Sequence, residues 1–237
     1  MLFIIDIIKI SFKMAFCILV SLNLLYSIDN NVRPDDLFNY LYDEAEWEFA
    51  DESYDSISLY LKNIDEINLT AMSVNKCIQI NPKLLKSIIA DVNNYKSFLT
   101  SASSLETRQL VKNKNYLDAY QHIKIELPFF QSRQYYFRMQ TEFLESNNSY
   151  TINEWYLINP KTWNEVSIVK EDLNAIYLEY GAGVWLLKIM NDNRINISYR
   201  FIMDPGGSIP SFMKEMINKI SVINLFRDVL NEAQRRS

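Results

Sequence analysis

Residues 194–217, RINISYRFIMDPGGSIPSFMKEMI, decide the fold. The first half alternates with period two: Ile195, Ile197, Tyr199, Phe201 and Met203 fall on one face of a strand, while Arg194, Asn196, Ser198 and Arg200 fall on the other. The second half changes period. Phe212, Met213, Met216, Ile220, Ile223, Phe226 and Leu230 recur every three or four residues, and no Gly or Pro follows Pro210, which predicts one helix running to the C-terminus. At 1.5 Å per residue it reaches roughly 35–40 Å, enough to cross a whole sheet. Between the halves stand Gly206 and Gly207, two of only four glycines in the chain. A strand that turns at once into a helix facing the same sheet needs φ > 0, which residues with a Cβ resist. Ser208 is placed to cap the helix and Pro210 to fix φ in its first turn. Without a following Lys-Ser/Thr the pair is not a phosphate loop. The other pair, Gly181 and Gly183, reads as a turn between two strands.

Working outward, the same alternation recurs. RQYYFRMQTEF sets Tyr135, Phe137, Met139 and Phe143 against Gln134, Arg138, Gln140 and Glu142. DAYQHIKIEL aligns Ile123, Ile125 and Leu127, and SYTINEWYLI, NAIYLEY and GVWLLKIM complete a closely spaced run, with SISLYLK and INLTAMSV earlier. Such spacing predicts an antiparallel meander with an apolar inner face and a wet outer one. NPKLLKSIIADV predicts a short helix with Asn81 as N-cap, Pro82 at the first position and Leu84, Leu85, Ile88 and Ile89 on one stripe.

The 237 residues, 49% hydrophobic and 14% aromatic, suit one domain with a sizeable core or cavity. A net charge of -5 excludes nucleic acid as a partner, which would need clustered Lys and Arg. The acids crowd Asp35 to Asp55, read here as a solvated surface without function. Residues 1–27 read as a secretory signal peptide, with Lys9 and Lys13 before the apolar run from Met14. This predicts an exported protein, or a membrane-anchored one if the leader stays. Residues 28–42, including the polar DNNVRPDD, read as a linker, and 43–237 as the domain. With Cys17 in the leader, Cys77 is the one remaining thiol, expected to be buried and inert.

Several blocks together resemble the START-domain family, the helix-grip lipid-binding proteins, in their bacterial form. Trp47 opens WEFADESYDSISLYLK, similar to the family's Trp and first strand ending in a tyrosine and a basic residue, here Tyr60 and Lys62. LLKSIIADVNNYKSF resembles the helix and Asp that follow, at Asp91. YQHIKIELPFFQSRQYYF is similar to the tyrosine-rich strand with its Pro and Arg, matched by Pro128 and Arg133. GVWLLKIMNDNRINISYRFIMDPGGSIPSF resembles the Trp-containing strand, the next strand and the glycine-containing turn before the last helix. The resemblance spans roughly residues 43–233. It implies an α+β helix-grip fold, a curved antiparallel sheet wrapped around the C-terminal helix, with a mostly apolar tunnel for one lipid-like molecule. Gln134 stands where the family has Asp, and Met139 where some sterol-binding members place an Arg.

The pocket-lining candidates are Arg133, Tyr135, Phe137, Met139, Trp185, Tyr199, Phe201, Met203, Met213 and Met216, because Met and aromatic surfaces adapt to an irregular apolar ligand. Arg133 is the inward-phase charge, free to meet a ligand head group or a carboxylate at the sheet edge. Catalysis has little to rest on. The single histidine, His122, lies on the polar face with Tyr120 and Lys124, no Gly-x-Ser-x-Gly occurs, and no residues have metal-ligand spacing. Glu126, Glu154 and Glu179 are expected on the outer face, where a charge is hydrated. The expectation is a monomeric, non-enzymatic carrier or sensor of a lipid or other hydrophobic molecule, making transient membrane contact, with no cofactor and no metal. A polyketide cyclase or aromatase on the same fold, and an envelope scaffold with a filled core, are the alternatives.

Overall fold

The computed structural model describes residues 34–100, 105–125, 131–140, 144–146, 149–159, 172–190, 194–207 and 211–237. The proposed leader, Ser208, Pro210, Glu126, Leu127, Pro128 and Phe143 lie outside them. Eleven strands form one sheet: β1 (Glu48–Glu52), β2 (Ser58–Ile64), β3 (Leu69–Ile78), β4 (Leu105–Lys112), β5 (Tyr116–Ile123), β6 (Arg133–Gln140), β7 (Leu144–Ser146), β8 (Ser149–Ile158), β9 (Ile176–Tyr177), β10 (Gly181–Ile189) and β11 (Ile195–Met203). The order is β1-β2-β3-β11-β10-β8-β6-β5-β4, with β7 on β8 and β9 on β6, so the sheet is open and its last long strand lies at the centre. All pairings are antiparallel except the two-residue β9, which runs parallel to β6.

The alternation read in residues 194–203 holds. Ile195, Ile197, Tyr199 and Phe201 enter the main core, and Met203 packs against it. That core joins the inner face of the sheet to the C-terminal helix. The outer face, however, is not simply wet. A helix over Pro34–Tyr42, α1, buries Leu37 and Leu41 against Ala182, Val184 and Ile202. The segment read as a linker therefore belongs to the domain from Pro34 onward, because two leucines four apart put one apolar stripe on the sheet.

The acidic run is also more than surface. Asp43 binds Lys62 at 2.6 Å, and Glu44 binds Arg200 at 2.8 Å. Both cations lie near the Trp47 ring, and Arg200 also donates to the Leu41 carbonyl. Outer-face positions of β2 and β11 thus hold cations whose counter-charges come from the chain just after α1.

On the inner side, α2 (Pro82–Ile89) starts where the sequence predicts, with Asn81 Oδ1 accepting from Lys83 N at 2.9 Å. A single 3-10 turn and α3 (Tyr95–Phe98) follow. The final helix, α4, runs from Ser211 to Arg235. It turns Val222, Phe226, Val229, Leu230 and Ala233 into the core. Phe226 stacks on Trp185 with ring centroids 5.6 Å apart, which fixes the middle of α4 over the centre of the sheet.

Two local readings need correction. Gly181 and Gly183 lie inside β10, not in a turn. A Cβ at Gly183 would stand 2.4 Å from Trp155 Nε1, so the glycine makes room for the indole of the neighbouring strand. Cys77 is exposed, since it shares the phase of Ala71 and Ser73 on the outer face but lies further along β3, where its side chain finds no cover.

Candidate functional site

The inner face is lined by aromatic side chains. Tyr135, Phe137, Met139, Trp185, Tyr199 and Phe201 are all buried and belong to one continuous core with Met72, Trp155 and Phe226. Tyr199 stacks on Trp185 at 4.5 Å and accepts a hydrogen bond from Trp155 Nε1 at 3.1 Å. Burial pushes the phenols of Tyr95, Tyr135 and Tyr199 well above their ordinary range, so all three stay neutral hydroxyls at any physiological pH. Tyr95 donates to the Ile89 carbonyl.

A cavity of about 350 Å³ opens at the end of this core where β11 stops and α4 begins. Ile64, Leu69, Met72, Met203 and Pro205 form its apolar part, while Asn63, Asp65, Lys214 and Asn218 stand around it. Met72, which lines it, is also a member of the core. Of the predicted lining residues, Met203 borders this opening. The six inner-face residues do not line it and belong to the core instead, and the Met213 side chain lies outside the described ones.

Met216 does not line the interior: it is 49% exposed. At 100° per residue, position 216 is a third of a turn away from the face carrying Val222 and Phe226. The inward position in that part of α4 is Asn218, four before Val222. Its Nδ2 donates to the Met203 carbonyl at 3.1 Å and pins the start of the helix to the end of β11.

Arg133 serves the corner. It is 5% exposed, donates through Nε to the Pro205 carbonyl at 2.9 Å, and reaches the carbonyls of Gln131 and Gly206. Burial lowers its pKa, opposed by the nearby Asp204. The guanidinium hydrogen-bonds three backbone carbonyls and not a carboxylate at the sheet edge. Gly206 and Gly207 take φ of 66° and 74°, as the corner requires. Asp204 accepts from Gly206 N at 3.1 Å and from Lys214 Nζ at 2.9 Å, closing the turn onto α4.

Gln134 has a role of its own. Its Oε1 accepts from Tyr120 at 2.9 Å and from Asp172 N at 3.1 Å, and its Nε2 donates to Asp172 O at 2.8 Å. A carboxamide can donate and accept at once, so it holds both polar groups of one peptide segment, which a carboxylate would not. His122 lies on the outer face, 3.3 Å from Asp172 Oδ2. Glu154 accepts from the Tyr42 hydroxyl, and Glu179 is exposed. No group of acids, histidines or cysteines among the described residues could hold a metal ion. No described helix is long and apolar enough to cross a membrane.

No protein-family model and no curated protein matches this sequence. Solved structures do match in shape. The chain is similar to a fragment of a STAR-related lipid transfer protein from Xanthomonas axonopodis, with a TM-score of 0.64 and 13% identity over 80% of this chain and 99% of that one. Human StAR-related lipid transfer protein 5 gives 0.65 and 8% over 84% and 91%. Human STARD10 gives 0.60 and 16% over 84% and 80%. The chain therefore has a START-like helix-grip fold, an open antiparallel sheet with its long C-terminal helix laid across the inner face.

Proposed function

We propose that this protein binds one hydrophobic small molecule between the inner face of the sheet and α4, and carries or senses it without altering it. The observation that carries the reading is the opening beside Met203, two of whose lining residues, Met72 and Met203, also belong to or pack against a core of tyrosine, tryptophan, phenylalanine and methionine side chains. Such surfaces adapt to a flexible apolar guest, and the guest's burial supplies the binding energy. Two of the three solved structures above are named as lipid transfer proteins, which agrees with the reading. Three features favour binding over chemistry: the inner-face phenols are held far from ionisation, Arg133 is engaged by backbone carbonyls, and His122 and Glu154 lie on the other side of the sheet.

The test is incubation with a panel of neutral and charged lipids, followed by thermal denaturation and re-extraction. A bound lipid raises Tm, because only the folded state binds it, and returns chemically unchanged. A chemically altered product would make the protein an enzyme. In the same proposal the leader read in residues 1–27 exports the protein. N-terminal sequencing of the mature chain tests that, with a start near Ile28 expected and an intact Met1 contradicting it.

A further inference from the structure

Strands β4, β5 and β6 bring three neutral polar residues into one row. Thr107 is the register partner of Gln121, and Gln121 is the register partner of Tyr135. Residues directly opposite across an antiparallel pair share a face with their Cβ atoms about 5 Å apart. This row shares the inner face with Leu105, Leu117, Ala119 and Phe137, all of which belong to the core. Tyr135 is 8% exposed and Gln121 9%. The Thr107 hydroxyl is fully enclosed and has no hydrogen-bond partner. Among the described residues the Tyr135 hydroxyl and the Gln121 carboxamide make no hydrogen bond, but they are not fully enclosed as the Thr107 hydroxyl is. Buried polar groups are almost always paired, so the Thr107 hydroxyl, beside two further polar groups without a hydrogen bond on adjacent strands, needs an explanation.

The buried charges of the domain limit what that explanation can be. Lys62, Arg200 and Asp118 are buried, but each is ion-paired, with Asp43, Glu44 and Arg138 respectively. On α4, Asp228 accepts from Thr100, and Glu232 is held by Arg235 and Arg236. Arg133, two residues before Tyr135, has all three nitrogens on backbone carbonyls. An anionic or cationic head group beside the row would lose its hydration and gain no counter-charge, which is costly.

We propose that Thr107, Gln121 and Tyr135 form the polar subsite of the ligand site, and that it takes an uncharged oxygen-bearing group, a hydroxyl or ester of a neutral lipid. The row supplies both donors and acceptors, as such a group requires. This assignment rests on the hydrophobic-ligand reading above.

The probes are three molecules with one oleoyl chain: monoolein, oleate and oleoyl lysophosphatidic acid, titrated at pH 7.4 and followed by native mass spectrometry and Tm. The expected result is 1:1 binding of monoolein, at least tenfold tighter than either anion. Tyr135→Phe and Thr107→Val are expected to weaken monoolein about five- to tenfold each, the usual effect of one lost hydrogen bond. Thr107→Val should keep or raise Tm without ligand, because it removes an unpaired buried hydroxyl, and Tyr135→Phe should leave it about level, because it removes a hydroxyl that makes no hydrogen bond. Equal or tighter binding of an anion overturns the inference and leaves the hydrophobic-ligand reading standing. So do variants that lower the ligand-free Tm and leave monoolein affinity unchanged. Failure of all three probes to bind counts against the inference and the parent reading together.

Discussion

Asp55, in the turn between β1 and β2, grips Arg227 in the middle of α4 through two hydrogen bonds of 2.8 and 3.0 Å. The pair joins the first edge of the sheet to the last helix, 172 residues later, and the Tyr54 ring lies 5.1 Å from the guanidinium. Both partners are only about a fifth exposed. Asp55→Asn removes the charge and one acceptor, and is expected to cost about 1–2 kcal/mol after allowance for partial solvent screening. Urea denaturation measures it. A loss below the error of the midpoint would mean that α4 is held by its apolar face alone.

Acid should loosen the same helix. The Arg227 guanidinium holds the Asp55 carboxyl well below the usual range, and Arg235, helped by Arg236, lowers Glu232 to about 2. A carboxyl whose folded pKa lies below its unfolded one binds fewer protons when folded, so its contribution is complete above its unfolded pKa. It is lost as pH falls from about 4.5 toward about 2. Denaturation midpoints at pH 7, 5 and 3 are expected to be level between the first two and lower at the third. Glu232→Gln should flatten that fall.

The corner before α4 is a backbone device. A Cβ at Gly206 would come within 2.9 Å of Ile176 Cγ2, and at Gly207 within 2.6 Å of Ile176 Cδ1, with φ positive at both. The ends of Ile176 can move; the backbone sign cannot. Gly207→Val should therefore cost about 1–3 kcal/mol even in an Ile176→Ala background, read as Tm. Full rescue by Ile176→Ala would show that crowding, not φ, sets the requirement.

Gly183→Ala tests the close approach of β10 to Trp155. A methyl 2.4 Å from Nε1 must displace the indole and its hydrogen bond to Tyr199, with an expected loss of about 1–3 kcal/mol. In a double-mutant cycle Gly183→Ala should cost much less when Trp155 is already Leu. Additive losses would refute the clash.

What was legible in the sequence was what is local. The alternation of residues 194–203, the Asn81-Pro82 helix start and the Gly206-Gly207 corner each follow from the conformational needs of a few neighbouring residues, and all three are as read. The phase of α4 was misjudged because Met216 and Ile220 are apolar yet exposed, while Asn218 is polar and inward, joined to a carbonyl of another strand. Arg133 is inward as its phase predicts, but its partners are backbone carbonyls, to which side-chain identity gives no clue. The cover on the outer face was missed because α1 begins in a polar stretch, and its leucines find their partners some 150 residues away. The row of Thr107, Gln121 and Tyr135 becomes visible only when strand register is known, since one residue of slip would send every member to the other face.

The central claim, one hydrophobic molecule held between sheet and helix, is tested most directly by native mass spectrometry of the purified protein, with organic extraction of whatever it releases. The account predicts a 1:1 adduct of lipid-like mass that dissociates when the protein is denatured. A protein that sprays empty and gains no thermal stability from any of the three oleoyl probes would contradict it, because a ligand bound only by the folded state must raise Tm.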